Sequence, residues 1–83
     1  MLQKVIDCMN KEYETLETCL DPINGSDWAL DNPLLLINNA QNRVMGVCVF
    51  VQEYLDVDYN DINPFFEDWV KKVYTLKKKI VDN

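Results

Sequence analysis

Hydrophobic residues recur with a helical period in three stretches of the chain. In the first, Leu2, Val5, Ile6, Met9, Tyr13, Leu16 and Leu20 are apolar. At about 100° of rotation per residue they fall within one arc of about 100°, the pattern of a helix that buries a single face. Asp7 and Lys11 stand four apart on the wet side, a spacing that supports a helix. Pro22 disfavours helical geometry in the residue before it, so this helix is predicted to stop near Asp21.

The second stretch opens on Asn32-Pro33. Asparagine caps helices, and proline suits the first helical position because its missing N–H is not needed there. Leu36, Ile37, Ala40, Val44, Val47, Cys48, Val51, Tyr54 and Leu55 then share one stripe of about 120°. The rival is a strand, because Val44 to Val51 is an unbroken apolar octet rich in β-branched residues, which would make the fold α+β. The length and sustained period of the stripe favour helix. The third stretch repeats the start signal with Asn63-Pro64, and Phe65, Phe66, Trp69, Val70, Val73, Leu76 and Ile80 form its apolar face. Glu67–Lys71 and Asp68–Lys72 are acid-first pairs four apart, and the lysines gather in the last turns, where the helix dipole favours them.

The pattern therefore predicts an all-α, three-helix bundle with helices at about 2–20, 33–55 and 64–81, in a single domain over 1–83. Residues 56–62 read as a short polar loop. Residues 21–32 read as a long loop with a turn at Asn24-Gly25, folding Trp28 and Leu30 back over an open end of the bundle.

Composition narrows the function classes. With 48% hydrophobic residues, the chain has too much to bury for a disordered tail. No unbroken apolar run approaches the ~18 residues of a membrane span, and the first residues do not resemble a secretory leader. Three cysteines, an odd number, point to a reducing compartment, so the expected location is cytoplasmic. The net charge of -6 opposes direct binding to nucleic acid or to an anionic membrane. Residues 56–68 carry -5 and residues 69–83 carry +4. Lys77, Lys78 and Lys79 complement a helix C-terminus.

Candidate chemistry is sparse. The chain has no histidine, which removes the commonest acid–base and zinc-binding side chain. Its two glycines, Gly25 and Gly46, make no phosphate loop, and no nucleophile is spaced with a base. No enzyme activity and no cofactor are expected. Cys8, Cys19 and Cys48 read as small buried hydrophobes. Asn24-Gly25-Ser26 matches a glycosylation sequon but is read as a turn.

One motif has metal-ligand spacing. Asp56, Asp58, Asn60 and Glu67 occupy positions one, three, five and twelve of a segment that resembles an EF-hand calcium loop. Position six, normally glycine, is Asp61, and position nine is Pro64, which presets an early helix start. The expectation is a capped linker and no metal site.

The feature that exceeds the needs of a small bundle lies on the second helix. Leu34, Met45 and Val49 stand opposite the main stripe, with Leu35, Gly46 and Phe50 beside them. A helix that is apolar all round is normally covered on every side, and two neighbours leave part of it open. The leading expectation is a small acidic protein–protein interaction module, non-enzymatic and homodimeric through this seam, since most oligomers are symmetric. Such a part suits an adaptor, inhibitor or accessory subunit, and one arginine against seven lysines hints at the AT-rich genome of a bacterium or phage. The first alternative is an acidic mimic of nucleic acid, using Asp21, Asp27, Asp31, Asp56, Asp58, Asp61, Glu67 and Asp68 to occupy the groove of a nucleic-acid-binding protein. The second is calcium binding through the degenerate loop.

Overall fold

Every apolar stripe read above forms a helix. A computed structural model describes residues 1–81, with α1 over Leu2–Cys19, α2 over Asp27–Asp31, α3 over Pro33–Tyr54 and α4 over Tyr59–Val81. α1, α3 and α4 pack against one another as a rod of 41 × 19 × 17 Å. The fold is an all-α bundle. The octet Val44–Val51 is helical throughout, and no strand occurs among the described residues.

The core is built from the predicted faces. Val5, Met9, Leu16 and Leu20 of the first segment meet Ile37, Ala40, Val44, Cys48 and Val51 of α3, with Trp69 and Val73 of α4 closing the third side. Leu16, Val44 and Val73 are among the most completely buried side chains. The Trp69 indole Nε1 donates to the Met9 carbonyl at 2.8 Å, so the one large polar edge in the core is satisfied. No buried side-chain polar atom lacks a partner among the described residues.

Four features differ from the sequence expectation. The first is the helix count, four instead of three, because the 21–32 segment contains α2. The Ser26 hydroxyl accepts from the Ala29 N–H at 3.0 Å and caps this short helix. Ala29, not Trp28 or Leu30, plugs the bundle there; Trp28 and Leu30 are exposed. The Asn32 side chain does not cap α3. Its amide donates back to the Trp28 carbonyl at 3.0 Å.

The second is the start of α4, which lies five residues before Pro64. Asp58, not Asn63, supplies the cap: its carboxylate accepts from the Asn60 N–H at 2.9 Å. The early start brings Ile62 into the core at 1% exposure. Pro64 sits inside the helix and denies a donor only to the exposed Asn60 carbonyl, where water can replace it.

The third is that Tyr54, Leu55 and Phe65, placed on core faces by their period, are exposed. The fourth concerns the cysteines: Cys48 is buried, but Cys8 and Cys19 are only half-buried. Burial, with a smaller effect of Cys8, pushes the Cys48 thiol pKa up and leaves it protonated at neutral pH.

Candidate functional site

The chemistry that the sequence singled out does not converge in space. Helix α4 starts at Tyr59, so Glu67 lies eight residues further along it, about 12 Å from the loop. The Asp58 carboxylate is engaged at the cap, and Glu67 accepts from the Asn63 side-chain amide at 3.1 Å. Asp56 takes a left-handed backbone (φ 55°), which directs the chain out of α3. Among the described residues, no group of three or more histidine, cysteine or carboxylate side chains is placed to hold a metal ion. A calorimetric titration with calcium is expected to show no binding tighter than about millimolar. Micromolar affinity that Glu67→Gln removes would overturn this account of the loop.

The eight carboxylates of the mimic hypothesis are spread along the rod. Asp21, Asp27 and Asp31 lie before α3 and Asp56, Asp58 and Asp61 beyond its far end, with the ~33 Å of α3 between the two groups, while Glu67 and Asp68 lie ~12 Å back along α4. At the first end the Asp21 carboxylate accepts from the Ile23 N–H at 2.9 Å, which holds its pKa below the usual aspartate value. Side-chain pairs among the described residues are surface contacts: Gln3 with Asp7, Arg43 with Glu12, and Asn63 with Glu67. None joins a hydroxyl or thiol to a base.

The apolar seam residues are exposed. Leu34, Leu35, Met45, Val49 and Phe50 each show about half of their surface, and Gly46 is open as well. The two edges of α3 are fixed by their contacts. Arg43 pairs with Glu12 at 2.9 Å, so that edge faces α1. Met45, Val49 and Gln52 line a cleft of about 200 Å³ with Ile62 and Phe66, so that edge faces α4. Phe50 follows Arg43 by seven residues and lies on the α1 edge two turns on.

The seam is not continuous. Asn38, Asn39 and Asn42 occupy the outer face between Leu34-Leu35 and Met45, a gap of ~15 Å along the axis. The contiguous part is Met45, Gly46, Val49 and Phe50, which spans the outer face from one edge to the other. Tyr54 extends it, with its ring 5.2 Å from that of Phe50. The period alone assigned Tyr54 to the core; the signal for its place here was its i,i+4 spacing from Phe50. A second cleft of about 320 Å³ lies between α1 and α4, lined by Ile6, Met9, Phe65 and Trp69 with Asp68 and Lys72 at its mouth.

By length and composition α3 is also apolar enough to cross a membrane, a test that the core helix of a bundle passes as well. Here α3 contributes one whole side of the core, and Asn38, Asn39, Gln41, Asn42 and Arg43 interrupt its apolar residues. No protein-family model, curated protein or solved structure matches the chain.

Proposed function

We propose that the chain is a small, non-enzymatic protein-interaction module, acting in the cytosol through the outer face of α3. The observation that carries this reading is the exposed patch Met45–Gly46–Val49–Phe50–Tyr54 on a helix whose other side is the core. Water in contact with that patch is released when another chain covers it, which is the usual drive of association. The helix behind the patch is held by Val44, Cys48 and Val51 in the core, so the surface is presented without prior ordering. Three free thiols fit a reducing compartment. The net charge of -6 disfavours nucleic acid and anionic membranes as partners.

The test is site-specific photo-crosslinking in cells. A benzophenone side chain in place of Val49 is expected to give a discrete protein adduct, and one in place of the exposed Thr15 on α1 is expected to give none. Equal labelling from both positions would overturn the proposal. A companion prediction concerns the fold: Val49→Glu should change stability by no more than about 0.5 kcal/mol, as surface substitutions do. Thermal melting followed by circular dichroism checks it. A cooperative transition lost in Val49→Glu would mean that this face is part of the core.

A further inference from the structure

We infer that the chain covering this face is a second copy of the same protein, laid antiparallel along α3 about a two-fold axis level with residue 48. The inference rests on the interaction proposed above and names its partner. Two independent pairs of residues select the same level. The first pair is steric. A side chain built at Gly46 would meet nothing within 4 Å, so the helix there offers an open notch with backbone as its floor. Phe50, one turn further on, is 52% exposed. Residues 46 and 50 lie two on either side of 48. An antiparallel copy centred there sets each Phe50 ring into the opposite Gly46 notch, twice per dimer, as an isologous interface requires.

The second pair is electrostatic. Arg43 and Glu53 are the only charged residues within α3, and they lie five on either side of the same position. The antiparallel arrangement brings Arg43 of each copy level with Glu53 of the other. A parallel arrangement sets like charges together, which is unfavourable. Arg43 uses Nε and Nη2 on Glu12 and keeps other N–H groups for a second carboxylate. The excess acidity does not lie on the contact: Glu53 is the one carboxylate of α3, and Asp56 and Asp58 lie beyond the end of that helix.

The contact is small. Met45, Val49 and Phe50 at about half exposure, with Tyr54, supply on the order of 400 Å² per copy, against about 800 Å² in a standard stable interface. The dimer is therefore weak and concentration-dependent, with dissociation in the micromolar range or above.

The experiment is light scattering and sedimentation of the full chain up to millimolar concentration. The expected mass rises from 9.7 kDa toward twice that value. Gly46→Leu fills the notch, and its Cβ has nothing of its own chain within 4 Å, so it should leave the melting transition intact and weaken association at least about tenfold. Glu53→Arg and Arg43→Glu should each weaken association by about tenfold, since each sets two like-charge contacts in the dimer. Mixed together, these two variants should associate with each other about as tightly as wild type. Thermal melts control for the loss of the Glu12 pair in Arg43→Glu, which as a surface ion pair contributes little. A monomeric wild type at millimolar concentration overturns the inference and leaves the interaction proposal with a foreign partner. A wild-type dimer that Val49→Glu does not weaken overturns both. A dimer that Gly46→Leu breaks but the mixed charge variants fail to restore overturns the antiparallel register.

Discussion

Replacement of Trp69 by alanine is expected to destabilise the bundle by about 3–5 kcal/mol, the usual cost of removing a large core aromatic. Trp69 is 3% exposed, and its indole donates to the Met9 carbonyl across the α1–α4 contact at 2.8 Å. Alanine removes both the packing and that bond. A domain of this size has a total stability on the order of 5 kcal/mol, so the variant should keep no more than about 2 kcal/mol of it and stand close to its unfolding transition at room temperature. Trp69→Phe separates the two contributions: it keeps an aromatic ring in place and loses the donor, with an expected cost of about 1–2 kcal/mol. Urea unfolding followed by circular dichroism measures both. An unchanged midpoint in Trp69→Ala would show that the core is not closed by α4 at this position.

The core was legible where one face of a helix is apolar and the other is not. In α1, Val5, Met9 and Leu16 repeat on one side with charges opposite, and that side is buried. Legibility failed where a local signal competed with a distant one. Asn63-Pro64 is a strong start signal, but Asp58 makes a cap, and burial of Ile62 offsets the cost of a proline within the helix. Only the neighbouring helices supply the place for Ile62, and sequence pattern does not show them. Helix α2 has five residues, too few for a period to register.

Periodicity gives the direction of a side chain and not the reach of its neighbour. Tyr54 points along the α1 edge of α3. The antiparallel pairing of Glu12 with Arg43 puts it level with the N-terminal end of α1, and it is exposed there. The same limit shaped the candidate site. The excess of apolar residues between Val44 and Val51 was visible in the sequence as a helix with too many faces to bury. Leu34 and Leu35 met the same criterion, yet the intervening asparagines separate them from the patch. The cleft with Ile62 and Phe66 depends on the early start of α4 and had no sequence signal of its own.

The other large effect is expected at Gly25, where alanine should cost about 2–3 kcal/mol, the upper part of the range for overpacking. The dipeptide Asn24-Gly25 reads as a turn, and glycine often serves turns through its left-handed freedom, but neither glycine has a positive φ. The requirement is steric. A Cβ at Gly25 would stand 2.3 Å from the Cys19 carbonyl oxygen and 2.5 Å from that of Asp21. Both oxygens are backbone atoms already engaged in the turn: the Gly25 N–H donates to Asp21 at 2.8 Å and the Ser26 N–H to Cys19 at 3.2 Å. They cannot swing aside as a flexible side chain would, so the link from α1 to the Ser26 cap must shift as a unit. Gly46 provides the contrast. Its Cβ would meet nothing, and alanine inside a helix is favoured over glycine by about 1 kcal/mol. The two Gly→Ala variants should therefore move the urea midpoint in opposite directions, down at 25 and up at 46. A Gly25→Ala variant with the wild-type midpoint would show that the chain can open between Cys19 and Ser26 without loss, and that the close approach at Gly25 does not hold α2 in place.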